Sequence, residues 1–202
     1  YMKFGLSFAS FIYFFWIEVL IAITFIDLKY YIIPDSMSLG GAAVFFCFIL
    51  LNKFFFNNLH TIDPIKSLLG FVSSFGVFFL LAWIYKKIAG IEGLGGGDIK
   101  LVGLNGVILG FPNVFISIFI ASIIALIWHF FAKLLVFLNI DFQFELSDEE
   151  KKVHSELTSW LSEYEGKNAF QKPFPFGPHL ILGAIITQFY GNNLIDWYLN
   201  LL

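Results

Sequence analysis

From residue 4 to residue 26 the chain is apolar, interrupted only by Glu18. A run of that length is what a helix needs to cross a hydrocarbon core ~30 Å thick, about 20 residues. In lipid the backbone must satisfy its own hydrogen bonds, so the run can only be a helix or part of a closed barrel. Its length, and the lack of a small-residue cleavage site after it, argue against a signal peptide. Further apolar runs cover residues 39–51, 67–85, 99–111, 114–138 and about 174–190. Composition agrees: 58% of residues are hydrophobic and 13% charged, against roughly 45–50% and about 25% in soluble domains. The mean hydropathy is +0.81. A soluble enzyme, a disordered tail and a free nucleic-acid binder are excluded. The expected fold is all-α: a polytopic membrane bundle of about six transmembrane helices plus one amphipathic cytoplasmic helix.

The polar stretches between the runs set the expected topology. Six spans put both termini on one side. Nine lysines (Lys29, Lys86, Lys87, Lys100, Lys133, Lys151, Lys152, Lys167 and Lys172) fall on one side, and three (Lys3, Lys53 and Lys66) on the other. The positive-inside rule assigns the nine to the cytoplasm and turns both termini outward. The chain is read as one integral-membrane domain, 1–202, with a cytoplasmic insert at about 139–172. In the insert Ser147 and Glu150 have capping-box spacing, Gly166 is a helix stop, and Val153, Leu157, Trp160, Leu161 and Tyr164 form an apolar stripe. Eight acids against Lys151 and Lys152 between residues 141 and 165 would attract basic peptides, or simply form a solvated face.

Two carboxylates carry the chemistry. Ionisable groups near bilayer depth are costly and are functional candidates. Asp27 ends the first span; Asp98 follows Gly95-Gly96-Gly97 and opens the fourth. The topology sets both at the cytoplasmic level. Two neighbouring carboxyls share a proton, because like charges a few Å apart do not both ionise cheaply. One then activates water while the other polarises a carbonyl, which is aspartic-protease chemistry without a metal. The glycines allow a substrate backbone to approach. A simpler reading also fits: Asp98 as a helix N-cap or first-turn residue facing the helix dipole.

Three blocks occur in order: Asp27-Leu28-Lys29-Tyr30-Tyr31-Ile32-Ile33-Pro34-Asp35; Gly93-Leu94-Gly95-Gly96-Gly97-Asp98-Ile99-Lys100-Leu101; and Pro173-Phe174-Pro175-Phe176-Gly177-Pro178. Together they resemble the type IV prepilin peptidases, bacterial-type membrane aspartic proteases of the G-x-G-D class. The resemblance implies that Asp27 and Asp98 are catalytic. It also implies an endopeptidase that cuts the short basic leader from prepilins or pseudopilins after glycine, at the cytoplasmic face of the inner membrane, in the service of type IV pili or type II secretion. The expected partners are such precursors and membrane lipid, with no nucleic acid; no cofactor and no metal are expected. The alternative is an ion- or proton-coupled transporter that uses Asp27 and Asp98 as ion ligands. Its paired repeats with broken helices are not visible. Nor are the tyrosine-aspartate and proline-alanine-leucine blocks of the presenilin type.

Other polar residues have plainer expectations. Gly95, Gly96, Gly97, Pro34, Asp35, Lys29 and Lys100 are supporting or substrate-binding candidates. Asp35 reads first as a turn and cap residue, and Lys29 and Lys100 as interfacial anchors. Glu18 and His129 are expected to pack inside the bundle, and His179 to approach the site. Gly106-x-x-x-Gly110 should let helices pack closely. The single cysteine, Cys47, cannot supply the four thiolates of the zinc domain that accompanies N-methylation in many bacterial members, so cleavage without methylation is expected.

Overall fold

The structure is a computed structural model that describes residues 8–56, 63–90, 94–137 and 175–200. The insert expected at 139–172, and Gly93, lie outside the described residues. Two compact units form, Tyr1–Ala125 with Pro175–Leu202, and Leu126–Phe174. Of the second, only the end of one helix, residues 126–137, is described.

Six α-helices are present among the described residues, and no strand: α1 Phe8–Tyr30, α2 Asp35–Leu51, α3 Pro64–Ala89, α4 Gly96–Leu109, α5 Asn113–Phe137 and α6 Gly177–Leu199. A π-helical turn, Asn52–Phe56, extends α2. Among the described residues four helices are long and apolar enough to cross a membrane: α1, α2 with its π-turn, α3 and α5. This is an all-α membrane fold. Of the other two expected spans, α4 has 14 residues, or about 21 Å at 1.5 Å per residue. The last, α6, has 23 residues but carries Gln188, Asn192, Asn193 and Asp196.

Helices α1 and α2 each turn a narrow stripe inward. On α1 the buried positions are Ala9, Ile12, Trp16, Leu20, Ile23 and Asp27, a spacing of three and four that keeps one face. Asp27 is therefore the last member of the packing face of α1. On α2 the stripe is Ser38, Ala42, Phe45 and Ile49. The outward faces hold Phe14, Phe25, Leu69, Phe79, Leu126 and Phe130, all exposed, as lipid-facing helices require.

The shortest helix is the most enclosed. Along α4, every residue from Leu101 to Leu109 is buried, and the helix packs against α2, α3 and α6. A helix buried on every side has no polar face to display. Its seam with α3 is made of small residues. A Cβ added at Gly70 would strike the Gly106 carbonyl and lie 2.7 Å from Gly110 Cα; one at Gly106 would lie 2.6 Å from Ser74 Oγ. The backbones are thus close enough for Ser67 Oγ to donate to the Val107 carbonyl at 2.6 Å and Ser74 Oγ to that of Val102 at 3.3 Å. The close packing expected of Gly106 and Gly110 is present, with Gly70 as the partner surface.

Several boundaries differ from the sequence expectation. The first helix does not stop at Asp27 but runs one turn further to Tyr30. It ends where Tyr31 takes a left-handed φ of 55° and its N–H donates to the Asp27 carbonyl at 2.8 Å, a helix stop usually made by glycine. Gly96 and Gly97 are not loop residues but the first turn of α4. Glu18 and His129 are exposed rather than packed in the bundle. For Glu18 the reason is angular: it lies two residues from Trp16 and from Leu20, off the stripe they define.

Candidate active site

The two candidate carboxylates come from different helices and lie within electrostatic range of one another. Asp27 comes from the last turn but one of α1, Asp98 from the first turn of α4. Asp27 is 5% exposed, and its Oδ2 has no hydrogen-bond partner. The side chains are near enough for the charge of Asp27 to act on Asp98. No other carboxylate is buried among the described residues.

Glycines lie beside both acids, and at Gly95, Gly97 and Gly177 an added side chain would be crowded. Gly95 is the N-cap residue of α4; a Cβ there would lie 3.0 Å from Asp98 Oδ2. Gly177 begins α6, and a Cβ there would strike Asp27 Oδ2 and lie 3.1 Å from its Cγ. Gly97 packs on Ile33, where an added Cβ would be 3.0 Å from the Ile33 Cβ. Gly96 faces open space. The N-terminal end of α6 thus covers Asp27, the N-terminal end of α4 carries Asp98, and Ile33 lies against both ends.

The supporting residues divide. Pro34 precedes α2 as its N-cap, with ψ 133°, and its carbonyl accepts from the N–H groups of Met37 and Ser38. Asp35 is the first residue of α2 and makes no side-chain cap. It accepts instead from Lys100 Nζ at 2.5 Å, a pair that ties the start of α2 to the first turns of α4. Lys100 is therefore engaged with Asp35. Lys29 is exposed, its Nζ 5.5 Å from the ring centroid of Tyr30, and takes no part in this cluster. His179 is buried with its ring stacked on Phe176, centroids 6.2 Å apart. Among the described residues no three of His, Cys, Asp and Glu converge on a point where a metal would sit.

Two residues that the sequence reading did not single out belong to the cluster. Gly177 lay within the third motif block, and its place in Phe-Gly-Pro was the available signal. Ile33 lay within the first motif block but did not stand out there, being one apolar residue among many. Only the fold shows that it bridges two glycines.

Known proteins resemble the chain over much of its length. The chain is 28% identical over 183 residues to the prepilin leader peptidase/N-methyltransferase of Aeromonas salmonicida strain A449, covering 90% of this chain and 50% of that protein. With the protein of the same name from Aeromonas hydrophila the identity is 27% over 181 residues, with the same coverage. With that of Neisseria gonorrhoeae it is 35% over 109 residues, 54% of this chain and 35% of the relative. The chain spans about half the length of the Aeromonas relatives it matches. No solved structure matches it. The sequence profile of the type IV leader peptidase family matches residues 12–130, more than half of the chain and a stretch that holds both carboxylates. The chain belongs to the type IV leader peptidase family.

Proposed function

We propose that the protein is a membrane aspartic endopeptidase that removes the short basic leader of prepilin or pseudopilin precursors by cutting after a glycine. One observation supports the reading: two carboxylates from separate helices lie within electrostatic range, each with a glycine close against it, in a chain whose relatives are named prepilin leader peptidase/N-methyltransferases. The chemistry follows from the pair. The ionised carboxylate takes a proton from water as the water oxygen attacks the scissile carbonyl carbon. The protonated carboxyl gives its proton to the carbonyl oxygen. The tetrahedral intermediate collapses as the amide nitrogen is protonated and the C–N bond breaks, and the pair returns to its one-proton state. The glycines give an extended substrate room to lie against the site. The lysine distribution favours the cytoplasmic face of the inner membrane, where a basic leader would present its junction while the apolar helix behind it stays in lipid.

The test is mass spectrometry of a prepilin-like precursor incubated with the purified protein. A new N-terminus directly after the leader glycine is expected. An intact precursor, or a cut that persists when both aspartates are replaced by asparagine, overturns the assignment. Ion-dependent uptake into vesicles without cleavage would favour the transporter alternative.

A further inference from the structure

Ile33 is the side chain that fills the space between the two glycine walls. It is 6% exposed. On one side its Cβ, Cγ1 and Cδ1 lie 3.0, 3.4 and 3.5 Å from the point where Gly97, next to Asp98, would carry a Cβ. On the other side its Cδ1 lies 3.4 Å from the corresponding point on Gly177. That second point also falls on the carboxylate of Asp27. Ile33 and Asp27 therefore converge on one missing methyl group. A Cβ at Gly177 would clash outright with the Asp27 carboxylate, and Ile33 stands at tight to ordinary contact distance from both points, leaving no spare room; overfilling a packed site is destabilising.

A substrate carbonyl that reaches Asp27 must enter this same space. Whatever residue bears that carbonyl brings its own Cα within a bond of it, and a Cβ on that residue would compete with Ile33 for volume. We infer that Ile33 is a specificity-determining residue, a steric filter that admits glycine and refuses a side chain on the acyl side of the cut. The inference rests on the peptidase reading and gives it a structural cause: the requirement for glycine comes from crowding beside Asp27. It also explains why an isoleucine is useful here. Its β-branch is held stiffly against Gly97, which keeps Cδ1 pointed at a fixed place.

The experiment compares two precursors, one with the leader glycine and one with alanine there, cut by the parent protein, Ile33→Ala and Ile33→Val. A single methyl group rejected by a packed wall is worth ~10–200-fold in kcat/KM. The parent should prefer glycine by that margin. Ile33→Ala should bring the two precursors within about tenfold of each other. Ile33→Val, which loses only Cδ1 and keeps the branch against Gly97, should fall between. An unchanged glycine-to-alanine ratio in variants that still cut the glycine precursor overturns the inference. So does a parent that cuts both equally well. Loss of both cleavages in both variants overturns it too, since simple packing then accounts for Ile33. A parent that cuts neither precursor refutes the peptidase reading itself, and the filter falls with it.

Discussion

Asparagine in place of Asp27 or Asp98 keeps the shape of the side chain and removes its acid–base chemistry. Each variant is expected to lose at least ~10²–10⁴-fold in cleavage rate while eluting and unfolding like the parent; near-parental turnover by either would refute the pair. The parent should show a pH–rate profile with two limbs, as a pair that must hold one proton requires. Asp35 behaves otherwise. Its bond with Lys100 is partly solvated, with side-chain exposures of 67% and 29%, and exposed pairs contribute ~0–1 kcal/mol. Asp35→Asn and Lys100→Gln should each cost less than about 1 kcal/mol and retain substantial cleavage, and the double variant should cost no more than the larger single, as thermal unfolding in detergent would reveal. At this scale the sequence was informative about acids and poor about apolar residues. Asp27 and Asp98 stood out because charge is rare in such a chain, whereas Ile33 is chemically indistinguishable from its neighbours until the fold brings glycines against it. The pairing of Lys100 was hidden for the same reason: its partner is 65 residues away.

At the scale of helices, the α3–α4 seam decides how α4 sits. Gly106→Val would drive a branched side chain into the Gly70 carbonyl and Ser74 Oγ, and a cost of ~1–3 kcal/mol or more is expected. Gly76, on the exposed side of α3 with nothing within 4 Å of a Cβ, is the control: Gly76→Ala should stabilise by about 0.5–1 kcal/mol, the helix-propensity gain. Equal melting temperatures for the two variants would show that the seam is not tight. The helices themselves were legible from apolar run length, but their ends were not. Run length marks where polarity begins, and Asp27 is polar yet still faces inward on the α1 stripe, so the helix continues past it. The glycines before Asp98 read as loop because glycine weakens helices; here the first turn of α4 accepts Gly97 because Ile33 occupies the space a Cβ would need. Glu18 and His129 show the converse error, since rarity of charge says nothing about which face of a helix carries it.

For the whole molecule, the expectation concerns two activities that the names of the relatives join. These 202 residues include one cysteine, on α2, so a four-thiolate zinc site cannot be assembled from them. Supplied with a cleavable precursor and S-adenosylmethionine, the purified chain should yield a mature product without the mass of an added methyl group; a methylated product would reveal a site not recognised in these residues. The all-α membrane class was readable from the run lengths alone, because lipid leaves the backbone few choices. The depth and surroundings of the two acids were not, since they depend on helices distant in sequence. That distance has a consequence for biogenesis. Both acids have been synthesised once residue 98 is made, yet the glycine that covers Asp27 is residue 177, at the start of a helix that packs back on α1. A nascent chain, or one truncated ahead of Gly177, holds both acids with Asp27 uncovered, so the pocket is finished only when the last helix is inserted.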